Sequence, residues 1–273
     1  MSSHPYPDLI NAADQWHFKP EPDLLAGRTL LITGAGDGIG AVLAKTCALY
    51  GANVVLLGRT RSKLESIFDW IEANTDTQPV IVPVDLVVLD ESAVTALRDH
   101  IEETYGVLHG IVHNASLLGP KVPIAHYPYN DWQQVMQVNV NAAFLLTQGL
   151  YTLLDEADDA CVSFVSSSVG RAGRAYWGAY AASKFALEGL SQILADETEN
   201  AGKIRVYSVN PGATRTRMRS QAYPMEDPQT VITAEAHMGL FLHLLGGSAH
   251  GLALPPQGAQ LTAAEWHGTN PLI

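Results

Sequence analysis

Residues 29–40 read Thr29-Leu30-Leu31-Ile32-Thr33-Gly34-Ala35-Gly36-Asp37-Gly38-Ile39-Gly40. A short run of apolar and β-branched residues meets a glycine-dense turn, and a helical pattern of small apolar residues follows over 40–49. Glycine lets a turn approach a ligand with its backbone N–H groups and reach positive φ angles. The N-terminus of the helix behind it adds partial positive charge. This order predicts a phosphate cradle for a dinucleotide, with a tight structural turn as the plain alternative. The spacing is TGxxxGxG rather than GxGxxG, because Ile39 stands where a third glycine would fall counting from Gly34.

Outward from this turn, continuous apolar runs recur at 53–57, 80–84, Gly110–His113, 161–165 and 203–209. Such runs suit strands buried on both faces of a parallel sheet. Helical patterns lie between them at 62–73, Glu91–Tyr105, 132–154 and 179–199. Repeated strand–helix alternation predicts an α/β fold, a Rossmann-like doubly wound parallel sheet of about seven strands with helices on both faces. The seventh strand is expected at 251–254. Residues 1–25 carry Pro5, Pro7, Pro20 and Pro22 and read as an irregular leader. Residues 26–273 read as one dinucleotide-binding catalytic domain.

The 273 residues include 16 basic and 28 acidic side chains, a net charge of −12. A surface this acidic repels phosphate backbones and argues against nucleic acid as a partner. Cys47 and Cys161 lie far apart in segments that read as buried, as reduced core thiols do. No Cys/His cluster has the spacing of a zinc site, and no metal is expected. The first residues lack a basic segment followed by an apolar core, and no apolar run is long enough for a membrane span. A cytoplasmic protein is expected.

The residue ending the second strand reads the adenosine ribose in folds of this type. Here the chain has Gly58-Arg59-Thr60-Arg61. No carboxylate stands there, and Arg59 is able to pair with a 2′-phosphate. NADP(H) is the preferred cofactor on this reading and NAD(H) the alternative. Asp37 in the phosphate turn weighs the other way.

After the fifth strand come Ser166-Ser167-Ser168 and then Tyr180-Ala181-Ala182-Ser183-Lys184. Tyr180 and Lys184 are four apart and share one helix face. An ammonium beside a phenol stabilises the phenolate, so the tyrosine works as a general acid or base nearer neutral pH. Ser167 is placed to hydrogen-bond a carbonyl oxygen. Tyr-x3-Lys alone is a weak signal, since such pairs also occur on helix surfaces.

Over residues 28–216 the chain resembles the short-chain dehydrogenase/reductase (SDR) family, most like a bacterial subgroup of oxidoreductases close to the ketoreductase type. The motifs that carry the likeness are TGxxxGIG at the first turn, Asp85-Leu86 after the third strand and His113-Asn114-Ala115-Ser116 after the fourth. Asn139, Ser167, Tyr180 and Lys184 follow, and then Pro211-Gly212 with Thr216. The resemblance implies a Ser-Tyr-Lys-Asn tetrad and hydride transfer with NADPH between a carbonyl and an alcohol. It implies that Gly34, Gly38, Ile39 and Gly40 border the pyrophosphate, and that Asp85 and Leu86 meet the adenine. Asn114 and Ala115 would shape the nicotinamide-ribose side, and Pro211, Gly212 and Thr216 would lie along the nicotinamide. Lys184 would bond the ribose as well as tune Tyr180, and Asn139 would hold a water linking Lys184 to solvent. His113 and Ser116 depart from the family's NNAG, and the Pro- and Gly-rich stretch 251–260 departs from its usual C-terminal ending.

Two segments should flank a small-molecule substrate. The first offers Arg171, Arg174, Tyr176 and Trp177. The second, 215–229, offers Met218, Tyr223 and Met225 and has the make-up of a lid. The mix suits a bulky or partly apolar carbonyl, and the arginines raise the alternative of an anionic carrier. A cofactor-binding regulator that has lost the chemistry, and an epimerase or dehydratase on the same fold, are the competing classes. The two long helices carry apolar residues on more than one side, and by resemblance a homodimer or homotetramer is expected.

Overall fold

A computed structural model describes residues 6–16, 18–247 and 253–266. The chain runs α1 (Pro7–Ala13), β1 (Thr29–Thr33), α2 (Gly38–Leu49), β2 (Asn53–Gly58), α3 (Arg61–Asn74), β3 (Val80–Pro83), α4 (Glu91–Tyr105) and β4 (Gly110–His113). It continues through α5 (Tyr129–Met136), α6 (Ala142–Gly149), α7 (Tyr151–Asp155), β5 (Ala160–Val165), α8 (Gly178–Glu199), β6 (Ile204–Asn210), α9 (Arg217–Ala222), α10 (Met238–Gly246) and β7 (Gln260–Thr262). The strands form one seven-stranded sheet in the order β3-β2-β1-β4-β5-β6-β7, and every pairing is parallel.

Alternate residues of β1 show why the runs are continuous. Leu30 and Ile32 join the core under α2, α3 and α10, whereas Leu31 joins the core under α4, α6 and α8. With a period of two, a strand covered on both faces needs an apolar residue at every position. The order reverses beside β1, whose neighbours are β2 and β4. The crevice at the carboxyl ends of the strands opens at such a reversal, and it holds the candidate site.

Three expectations are corrected. The seventh strand is Gln260–Thr262, with Leu261 beside Val209 of β6. Ala253 and Leu254 are not in a strand, and Gly251 and Leu252 lie outside the described residues. Pro255 and Pro256 follow directly and have no N–H to give a ladder. The 1–25 leader is not wholly irregular. Pro7 opens helix α1, where a missing N–H costs nothing, and Leu9, Trp16, Phe18, Leu24 and Leu25 are buried in the same core as α2 and α10. Tyr6 Oη donates to Glu235 Oε1 at 2.7 Å, and Trp16 Nε1 donates to the Glu235 carbonyl at 3.1 Å. The helix expected over 132–154 is three helices. A π turn at Gln137–Asn141 separates α5 from α6. Gly149, whose absent Cβ would lie 2.3 Å from Val94 Cγ1, ends α6 where it meets α4. No helix among the described residues is long and apolar enough to cross a membrane.

Candidate active site

The cleft at the strand ends has a volume of about 530 Å³. Its cradle end is the turn between β1 and α2. Gly34 and Gly38 take φ of +69° and +51°, a region that L side chains rarely adopt. Both line the cleft with Ile39. Gly40 does not line it. A Cβ there would sit 2.3 Å from the Gly34 carbonyl oxygen and 2.6 Å from Asn114 Nδ2, so Gly40 serves the close seating of α2 on the turn. The first turn of α2 has backbone N–H groups with no partner four residues back, and that of Gly38 is taken by Asp37 Oδ1 at 2.8 Å.

The strand ends are tied together across the cleft floor. Asn114 and Ala115 each donate a backbone N–H to Thr33 Oγ1 at 3.0 Å, and Asn114 Nδ2 donates to the Thr33 carbonyl at 2.9 Å. His113 is packed rather than catalytic. It stacks on Phe164 and hydrogen-bonds Thr147 at 2.8 Å, and burial pushes its pKa down to about 3. Ser116 and Ser166 line the cleft with buried hydroxyls that have no partner among the described residues. Unsatisfied buried hydroxyls beside a glycine cradle fit a polar ligand such as a dinucleotide.

Arg59 and Lys63 line the cleft beside the glycine turn with Thr60, Asp85 and Leu86. Asp85 Oδ1 accepts from the Val87 N–H at 3.0 Å. Asp37 accepts from Gly38 N at 2.8 Å and from Lys63 Nζ, and the Lys63 bond lowers its pKa. Its charge is thus neutralised by Lys63, a residue the sequence reading passed over. The signal was available, since Lys63 lies in the first turn of α3 just after Arg59.

Across the cleft, Ser167 follows β5, and Tyr180 and Lys184 lie one turn apart on α8; all three line it. Lys184 is 2% exposed, donates to the Val165 carbonyl at 2.8 Å and stands 5.4 Å from the Tyr180 ring centroid. Burial pulls Lys184 down to about 7, against the raising charge of Glu188. Burial pushes Tyr180 up to about 12, and a hydrogen bond with Ser167 pulls it back.

Asn139 sits in the π turn, away from the cleft wall. Its Nδ2 donates to the Leu117 carbonyl at 3.0 Å and to Ser183 Oγ at 2.9 Å, and its Oδ1 accepts from Leu117 N at 2.7 Å. The amide is committed to the loop after β4 and to α8.

Pro211, Gly212 and Thr216 line the wall after β6. Thr216 caps α9, and its methyl group lies 3.2 Å from where a Cβ on Gly38 would be, so this wall closes onto the glycine turn. Tyr176, with φ of +70°, precedes Trp177, which lines the cleft beside Tyr180 with Leu118, Met218 and Tyr223. Arg171 is partly exposed and turned away from the cleft onto α8 and β7. It donates to Glu188 at 3.0 Å, to Thr262 Oγ1 at 2.9 Å and to the Leu261 carbonyl at 3.1 Å. Glu188, missed in the sequence, is 4% exposed and accepts also from Ser208 Oγ at 2.6 Å; its spacing of four from Lys184 was the available sign.

A family model described as short chain dehydrogenase matches residues 28–227. The chain is 49% identical over 230 residues to the uncharacterized oxidoreductase YciK of Escherichia coli K12, covering 84% of this chain and 90% of that protein. It is 30% identical over 200 residues to an NADPH-dependent pterin aldehyde reductase of Arabidopsis thaliana, covering 73% of this chain and 80% of that one. Among solved structures, the short chain dehydrogenase of Shigella flexneri superposes with a TM-score of 0.86 at 45% identity, over 94% of this chain and 98% of that chain. A protein of Escherichia coli CFT073 crystallised with NADPH gives 0.84 at 46% identity, over 89% of this chain and 99% of that chain. A match over most of the length, in sequence and in fold, leaves one conclusion: this chain belongs to the short chain dehydrogenase family of oxidoreductases.

Proposed function

We propose that the protein reduces a carbonyl to an alcohol with NADPH, or runs the reverse reaction with NADP. The observation that carries this reading is one cleft with a glycine cradle and Arg59 at one end and Ser167, Tyr180 and Lys184 at the other. The cofactor, when bound, supplies the hydride that adds to the carbonyl carbon. Tyr180 Oη gives its proton to the carbonyl oxygen as the new C–H bond forms, and Ser167 Oγ donates a hydrogen bond that orients that oxygen. Lys184, held by the Val165 carbonyl, stabilises the resulting tyrosinate. Asn139 acts as a positioning residue, because its amide fixes the π turn against Leu117 and Ser183.

Gly34, Gly38 and Ile39 would cradle the pyrophosphate, with Gly40 seating the helix behind them. Asp85 and Leu86 would meet the adenine, Asn114 and Ala115 the ribose side, and Pro211, Gly212 and Thr216 the nicotinamide. NADPH is favoured over NADH because Arg59 stands at the end of β2 and Lys63 quenches Asp37. The NADPH-bound relative of Escherichia coli supports the same choice.

The partner is a small carbonyl or alcohol. Buried, unpaired Cys47 and Cys161 suit the reducing cytoplasm. Phe144, Tyr151, Phe185 and Ile193 are exposed on α6, α7 and α8 and support a homo-oligomer built through those helices.

The test is cofactor oxidation with NADPH and with NADH across ketones, aldehydes, quinones and thioester carbonyls. Turnover with NADPH well above NADH is expected. Tight NADPH binding without turnover of any carbonyl would return weight to a silent regulator.

A further inference from the structure

Among the described residues five cations line the cleft: Arg59, Lys63, Lys184, Arg217 and Arg219. Three of them are committed. Lys184 donates to the Val165 carbonyl at 2.8 Å, Lys63 is paired with Asp37, and Arg219 makes two 2.6 Å hydrogen bonds to Glu226. Arg59 follows β2, at the place where the adenosine ribose is read. Arg217 is exposed, and it makes no hydrogen bond or ion pair among the described residues.

The place of Arg217 in the fold sets the end of the cleft it serves. Thr216 caps α9, and its methyl group lies 3.2 Å from where a Cβ on Gly38 would be. Arg217 is the next residue and opens α9, so it starts from the wall that touches the glycine turn. Residues two apart on a helix face different ways. Arg219 turns to Glu226 and to the Tyr223 ring, 3.9 Å from its centroid. This leaves Arg217 on the side of the glycine turn. Asp37 feels it there: the Lys63 hydrogen bond first, and the charge of Arg217 as well, hold that carboxylate below its usual range.

The turn has no free cation of its own. Asp37 caps α2 and takes the Gly38 N–H at 2.8 Å, so one donor of the cradle is already used. Lys63 and Asp37 cancel to a neutral pair. A pyrophosphate bridge is dianionic, whereas a helix N-terminus offers only about half a unit of positive charge. A guanidinium on the facing wall supplies the missing charge, with a fork of donors that matches phosphate oxygens.

We propose that Arg217 binds the pyrophosphate of the dinucleotide from α9 and clamps it against the glycine turn. This rests on the NADP(H) reading of the cleft above and adds to it a binding residue from the segment with the make-up of a lid. The contact is to the part that NADPH and NADH share, whereas Arg59 addresses the 2′-phosphate alone.

The experiment measures by calorimetry the Kd of the full chain for NADPH, NADH and ADP-ribose, in the wild type, Arg217→Ala, Arg217→Lys and Arg59→Ala. ADP-ribose keeps the pyrophosphate and lacks both the nicotinamide and the 2′-phosphate. Arg217→Ala should weaken all three ligands by a similar factor, about tenfold. Arg217→Lys should recover part of that loss, and Arg59→Ala should weaken NADPH alone. The Tm of Arg217→Ala without ligand should match the wild type, because the side chain is exposed and unpaired. Unchanged affinity for all three ligands overturns the inference, and so does a loss confined to NADPH, which would put Arg217 on the 2′-phosphate. A wild type that binds neither dinucleotide overturns the cofactor reading itself. Binding of both dinucleotides with no effect of Arg217→Ala overturns the inference alone.

Discussion

Lys184 donates from Nζ to the main-chain carbonyl of Val165 at 2.8 Å. That bond links the helix carrying Tyr180 to the end of the strand that delivers Ser167. Three side chains from two elements therefore meet at one point without relying on a flexible loop. Behind Lys184 stands Glu188, held by Arg171 and Ser208.

Glu188→Gln tests whether this second layer matters to the chemistry. The Glu188 charge favours protonated Lys184. Without it, Lys184 loses its proton at lower pH, and the alkaline limb of the kcat profile should move toward acid. Arg171, partly exposed, also loses its counter-charge, and stability should fall by about 1–3 kcal/mol. Glu188→Asp should restore part of the profile. A profile that stays in place while stability falls would make Glu188 purely structural.

Arg59→Ala tests the cofactor choice. Loss of a charged hydrogen bond to a phosphate costs about 1.5–3 kcal/mol, which corresponds to roughly tenfold to a hundredfold in the Kd for NADPH. The Kd for NADH should stay nearly unchanged. Equal losses for both cofactors would show that Arg59 does not read the 2′-phosphate.

Stability should fall in mild acid because His113, His237 and His243 are buried and held toward the neutral form. Burial lowers His113 to about 3 and His237 to about 4. In the unfolded chain both take up a proton as the pH falls through about 6.5. The folded state is therefore favoured above that pH and loses ground below it. The slope is roughly 3 kcal/mol per pH unit for the two together between about pH 6 and 4. Denaturant unfolding of the wild type and of His113→Gln across this range measures the effect. The same pH dependence in both proteins would contradict the role of His113.

Much of the fold was legible because a buried parallel strand needs an apolar residue at every position. β1 and β4 lie where they were expected, and β2, β5 and β6 within a residue of it. β7 was misplaced because three residues with one buried leucine carry almost no periodic signal. The breaks at Asn139 and Gly149 were invisible for a different reason. Each depends on a tertiary partner, the Leu117 backbone in one case and Val94 in the other. In the candidate site, glycine spacing and the Tyr180–Lys184 interval were readable because they are local. The ion pairs of Lys63 with Asp37 and of Glu188 with Arg171 were not, because each joins two elements; only the closeness of Lys63 to Arg59 and of Glu188 to Lys184 along the chain hinted at them. Of the arginines that looked available for a substrate, Arg171 is paired with Glu188 and Arg219 with Glu226.

In the proposed mechanism Tyr180 supplies the proton, while other residues build the cofactor site. The direct test takes the carbonyl that the wild type turns over fastest and measures Tyr180→Phe beside it, with NADPH binding recorded separately. The Kd for NADPH should stay within about twofold while kcat falls by about a hundredfold to ten-thousandfold. Turnover near the wild-type rate in Tyr180→Phe would contradict it.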